Sequence, residues 1–163
     1  MHLERRYTFK NPSLLSLALL HRSAAEPDNT SLAWLGDAAL QLVVTEQLAA
    51  LEGHAGAKKL TDSRKILVSR EQCAACAKAI GLEKVITVGR SLAAEVAERR
   101  GKKIYQIRQQ AVAEMLNANI LGEAFEAILG AVYVDGGLDA VRDSYACAFP
   151  TLTQELALNE GEM

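Results

Sequence analysis

Two apolar stretches of the chain carry acids where acids are costly. "SLAWLGDAAL", residues 31–40, is nearly all apolar or small, yet holds Asp37 directly after Gly36. "LGEAFEAILGAVYV", residues 121–134, holds Glu123 and Glu126 at a spacing of three. On a helix that spacing puts both acids on one side, beside Gly122, Gly130 and Tyr133. Glycine lets a second helix come close, so two buried helices crossing at small residues can bring Asp37, Glu123 and Glu126 together. Grouped carboxylates in an apolar setting need a basic partner, a proton or a divalent cation. Neither stretch contains Lys or Arg, which points to the cation. An all-oxygen donor set suits Mg²⁺, with Mn²⁺ as a substitute, and such an ion can bind phosphate and activate water. Taken singly, Glu123 reads as a solvated helix acid and Asp37 as the partner of a backbone group at a bend. Taken together, the two stretches set a metal site on an even footing with these plainer readings.

The elements that must position these acids are helices. Alanine and leucine abound, aromatics are few, and Pro12, Pro27 and Pro150 lie outside the long periodic stretches, so the predicted fold class is all-α. Asn11 as N-cap and Pro12 at the first position open a helix through "NPSLLSLALLHRS". Asn29 or Thr30 caps a second, from about Ser31 to Leu51, apolar on almost every side and therefore expected to be central and buried. "LTDSRKILVSREQCAACAKAIGL" reads as two helices broken near residues 68–70 and stopped at Gly81. "KVITVG" reads as a loop or single turn, and "SLAAEVAERR" as a helix closed by Gly101. Periodicity from Ile104 to Val134 exceeds one ordinary helix, so a break is expected at "NANILG", with a clean end at "VDGG" and a further helix through "LDAVRDSYACAF".

A chain of 163 residues, half of them apolar, fits one domain, expected over residues 1–158 with a short tail at 159–163. No apolar run suffices for a membrane span, and "MHLERRYTFK" lacks a signal peptide's apolar region. The expected setting is cytoplasmic, or a chloroplast or mitochondrion should a transit peptide have been removed. Cys73 and Cys76 share a helical face, but no second Cys or His pair stands at ligand spacing, so packing is preferred over zinc or redox chemistry. A formal charge of −2 argues against nucleic-acid binding by overall attraction and leaves local patches open.

Separated motifs in one order, "YTFKNPSLLSLALLHRS", "DNTSLAWLGDAAL", "LTDSRKILVSREQCAACAKAIGL" and "GEAFEAILGAVYVDGG", resemble the nuclease domain of the ribonuclease III family over nearly the whole chain. The resemblance implies an all-helical homodimer in which each subunit holds Mg²⁺ on carboxylates and cuts one strand of double-stranded RNA. It assigns Asp37 and Glu126 as catalytic metal ligands, with Glu123 standing where the family usually has Asp. The family's signature helix usually reads Asn-Glu-Arg-Leu-Glu, aromatic, Leu-Gly-Asp; "NTSLAWLGD" has Thr30 and Ala33 at the two glutamate positions, so one expected ligand is missing. The short Mini-RNase III subfamily resembles this chain in having alanine before its aromatic and in lacking a double-stranded RNA-binding domain. Trp34 matches the aromatic that enters the partner subunit. Without the family, a lone Trp in an apolar helix reads as core packing.

The resemblance further implies a structured or double-stranded RNA substrate such as a ribosomal RNA precursor; without an RNA-binding domain of its own the chain is expected either to bind it weakly or to rely on a ribosomal or RNA-presenting partner protein. Arg100, Lys102 and Lys103 in "RRGKK", and Lys58 and Lys59, are the candidate phosphate contacts; solvated helix faces are the plainer reading. The rival expectation is a catalytically degenerate scaffold in an organelle ribosome or RNA-processing complex, favoured by Thr30, Ala33 and Glu123.

Overall fold

A computed structural model describes residues 7–52, 55–90 and 116–148, together with 92 and 94. Helix α1 spans Pro12–Ala18, and the Asn11 side chain accepts from Ser13 N–H at 3.1 Å, with Pro12 supplying the preset φ of a first helical residue. Helix α2 spans Thr30–Glu52. Its entry is fixed by Asp28, which accepts from the Thr30 amide at 2.9 Å and the Thr30 hydroxyl at 2.6 Å, while the Asn29 side chain turns inward to donate to the Ala18 carbonyl at 3.3 Å. Asn29 therefore ties α1 to the head of α2, and the capping side chain belongs to the residue before it.

Helices α3, Ala57–Leu67, and α4, Arg70–Ala79, are separated at Val68 and Ser69, and the Ser69 hydroxyl caps α4 by accepting from Gln72 N–H at 3.3 Å. Gly81, at φ 78°, ends this run in the left-handed region that glycine occupies without strain. "KVITVG" leaves a single turn and is otherwise irregular, as expected, apart from one bridge. A 3-10 turn, Leu82–Lys84, leads to an isolated parallel bridge in which Thr87 N–H donates to Leu19 O at 2.8 Å and His21 N–H donates to Thr87 O at 3.0 Å.

Helix α5, Ala118–Ala148, begins where the break at "NANILG" was expected, with the Asn117 side chain accepting from Ile120 N–H at 3.0 Å. Helical geometry breaks at "VDGG", as expected. The chain kinks at Gly137, with φ 78° and ψ −174°, and resumes its helix at once, so the expected further helix is the second limb of α5. Asp135, just before the kink, accepts from the Tyr7 hydroxyl at 2.9 Å and from the amides of Lys10 and Asn11 at 2.7 and 2.9 Å, pinning the segment before α1.

The core lies between α2 and α5, with α4 also packed on α5. Leu40, Val43 and Val44 of α2 share one buried cluster with Leu121, Phe125, Ile128 and Val132 of α5, all essentially without exposure. One expectation fails here: α2 is not buried all round, because Trp34 is 80 % exposed and Leu42 47 % exposed. Their side of the helix faces outward, and the core-packing reading of Trp34 falls with it. Cys73 and Cys76 are buried on the α4 side of the core, and burial raises both thiols above their ordinary value, Cys73 to about 12. Neither is poised as a thiolate, which fits packing. No described helix is long and apolar enough to cross a membrane.

Candidate functional site

The acids meet because two helices touch through glycine. A Cβ built on Gly36 would overlap the carbonyl of Glu126, and one built on Gly130 would overlap the carbonyl of Leu32, so α2 and α5 approach backbone to backbone at this crossing. Asp37 follows Gly36 on one helix and Glu126 precedes Gly130 by one turn on the other. Asp37, Glu123 and Glu126 thus line one open cleft of about 660 Å³, together with Thr30, Ala33 and Trp34 of α2 and Asn119 of α5.

The basic partners that neither apolar stretch contains come from elsewhere in the chain. Arg70, the first residue of α4, brings Nη1 to 3.4 Å from Glu126 Oε2, and Arg22, in the α1–α2 connection, brings Nη2 to 3.7 Å from Glu123 Oε2. The inference that the acids lack cationic neighbours is therefore corrected: long-range packing supplies two guanidiniums. Asp37 accepts from the Gln41 side-chain amide at 3.2 and 3.1 Å, one turn along its own helix, which holds its carboxylate in place. Among the described residues, no three His, Cys, Asp or Glu side chains are arranged as a group that could hold a metal ion. Glu123 leans toward Arg22 instead.

Glu126 is the buried member of the set at 8 % exposure. Burial pushes its carboxyl up to about 7, the Arg70 guanidinium opposes that rise, and the charges of Asp37 and Glu123 add to it. Through the window from about 4.5 to 7 the folded chain holds this proton more tightly than the unfolded chain does, so stability falls as pH rises across it. Glu126→Gln removes the buried charge and leaves Arg70 partly in solvent. It should raise stability at pH 8 by about 2 kcal/mol, or roughly 4–8 °C in Tm, and leave it unchanged at pH 4. Thermal unfolding at the two pH values checks this; an equal loss at both would show that Glu126 stabilises the fold as an ordinary ion-pair partner.

A buried carboxylate met by one single-ended guanidinium is incompletely compensated, and the facing donors are oxygens. That chemistry fits a hard divalent cation, with Asp37 and Glu126 as the residues that would hold it and Glu123 within the same cleft.

Arg70 and Arg22 are the site residues that sequence reasoning missed. The available signal was a basic side chain directly after the Ser69 cap, at the break between two helices. Of the other candidates, Lys58 and Lys59 are exposed on α3, where Lys58 pairs with Asp62 at 2.8 Å, away from the acid cleft's lining. Arg100, Lys102 and Lys103 lie outside the described residues.

The described residues thus form an all-helical domain in which two helices cross through glycine and present acids into a shared cleft. The chain belongs to the ribonuclease III-like family, whose model matches residues 11–147. It is 34 % identical to ribonuclease 3 of Cereibacter sphaeroides over 139 residues, which cover 83 % of this chain and 53 % of that protein. Against ribonuclease 3 of Chlamydia trachomatis serovar L2 the identity is 38 % over 142 residues, covering 83 % of this chain and 54 % of that one. The chain spans little more than half the length of these curated relatives. The nuclease domain of ribonuclease III from Campylobacter jejuni superimposes with a TM-score of 0.74 and 28 % identity, covering 91 % of this chain and 96 % of that one, in a structure that concerns flexibility in the region involved in dimer formation. A second structure of that domain gives 0.73.

Proposed function

We propose that the protein is a metal-dependent endoribonuclease acting on double-stranded or structured RNA. The observation that carries this reading is the convergence of Asp37, Glu123 and Glu126 from two helices on one cleft, with Glu126 buried. Asp37 and Glu126 are the ligands that would hold Mg²⁺, or Mn²⁺ in its place. When bound there, the ion supplies Lewis-acid activation of water and neutralises charge on a phosphate. Asp37 is kept in orientation by Gln41, and the α2–α5 crossing fixes its separation from Glu126. Ala33 contributes no donor, so the carboxylate count is below that of the family pattern, and weaker ion binding follows.

The functional unit is a homodimer formed across the outward side of α2. Trp34 and Leu42 are exposed apolar residues there, and Trp34 also lines the acid cleft, so a second copy covering Trp34 borders the site. Two clefts in one dimer serve the two strands of a duplex. Lys58 and Lys59, with Arg100, Lys102 and Lys103, are the proposed backbone contacts, and A-form RNA is recognised largely through its backbone and shape.

The second reading is a scaffold that has kept the fold and lost catalysis, favoured by Ala33 and by the guanidiniums already beside Glu123 and Glu126. Incubation with duplex RNA separates the two. The nuclease reading expects internal cleavage in Mg²⁺ that stops when the ion is chelated; an intact duplex in both Mg²⁺ and Mn²⁺ supports the scaffold.

A further inference from the structure

Arg70 is placed to do more than balance a charge. Its side chain runs from the start of α4 across α5 through a slot that exists because residue 122 is glycine: a Cβ there would stand 2.6 Å from Arg70 Cδ and 3.2 Å from Arg70 O. At the end of the slot it makes one long contact with Glu126, 3.4 Å from Nη1 to Oε2, and no second fork of the guanidinium reaches that carboxylate. The Glu126 side chain is 10 % exposed, whereas that of Arg70 is 42 % exposed and lines the same open cleft. One partner is therefore fixed and buried while the other sits at the cleft wall with access to solvent. A single-ended contact holds the solvated guanidinium only loosely, but the buried carboxylate it leaves needs a replacement cation, so release is cheap only when an ion takes its place. A phosphodiester offers the same guanidinium two oxygens at once, the geometry arginine favours.

We propose that Arg70 is a displaceable counter-ion, holding Glu126 in the free protein and transferring to an RNA phosphate when a duplex docks, so that cation and RNA bind cooperatively. This rests on the nuclease reading above. A guanidinium beside Glu126 opposes a dication at the same carboxylate, and its departure to phosphate removes that opposition. By linkage, RNA then tightens the ion and the ion tightens RNA. The site in the resting protein is consequently poor in metal and is completed by substrate.

The test reads binding rather than turnover. Mn²⁺ affinity, followed by the paramagnetic resonance signal of the free ion, is compared for the native protein, Arg70→Gln and Arg70→Lys, with circular dichroism confirming that each is folded. Arg70→Gln should bind Mn²⁺ about tenfold more tightly, since a dication and a unit charge about 6 Å apart repel by that much even in a water-like dielectric. Arg70→Lys should stay near the native value. In chelator, where the ion cannot contribute, duplex RNA should bind Arg70→Gln more weakly, with a salt dependence shallower by about one phosphate contact. Equal Mn²⁺ affinity in native protein and Arg70→Gln, or an unchanged salt dependence, overturns the counter-ion role while leaving the metal site standing. Absence of Mn²⁺ binding from all three proteins overturns both.

Discussion

Asp37→Asn is expected to reduce cleavage of duplex RNA in Mg²⁺ by about a thousandfold, the order lost when a group stabilising developing charge is removed from a catalytic site. The change is nearly isosteric, and asparagine can still accept from Gln41, which lies at 3.1–3.2 Å from the present carboxylate oxygens. Asp37 is only partly buried, so the fold has no reason to change. The loss should therefore appear in the single-turnover rate, with Tm and circular dichroism as for the native protein. A rate within a few-fold of native would remove Asp37 from the chemistry.

Gly36→Val is expected to have the largest effect on stability. The added Cβ would collide with the main-chain carbonyl of Glu126, and backbone offers no rotamer through which to yield. Relieving the overlap means separating α2 from α5, whose facing residues Leu40, Val43, Phe125 and Ile128 make up the centre of the core. The expected cost exceeds about 4 kcal/mol, enough to remove most of the stability of a domain at the lower end of the ordinary range. Urea denaturation followed by circular dichroism measures it. Gly56→Ala is the matched control: it sits at the head of α3 with no atom within 4 Å of a Cβ, and should change stability little. Equal behaviour of the two variants would mean that the glycine crossing is not what holds the acids together.

That crossing was legible in the sequence because glycine and acid recur together in both apolar stretches, at Gly36-Asp37 and around Glu123, Glu126 and Gly130. Local signals read well throughout: Asn11 and Pro12 start α1, Ser69 marks the break before α4, and Gly81 stops it, each through geometry confined to a few residues. Signals that depend on distant packing did not. The guanidinium at Glu126 comes from a residue 56 positions away, and periodicity carries no trace of such a pairing. The outward side of α2 was misread for a related reason. Apolar residues all round a helix indicate burial without saying whether the chain itself or a second copy provides it, and Trp34 is uncovered in the single chain. At Gly137 the glycines of "VDGG" mark where one helical limb ends and the next begins, because the positive φ there is open to glycine.

The central claim is that carboxylates from α2 and α5 hold one divalent ion between them. Anomalous diffraction from crystals grown with a duplex RNA and soaked in Mn²⁺, so that Arg70 is free to move to phosphate, tests it most directly. A peak is expected in the acid cleft, within about 2–2.5 Å of carboxylate oxygens from both Asp37 and Glu126. Mn²⁺ bound by only one of the two, or found only outside the cleft while Arg70 still occupies Glu126, would contradict it.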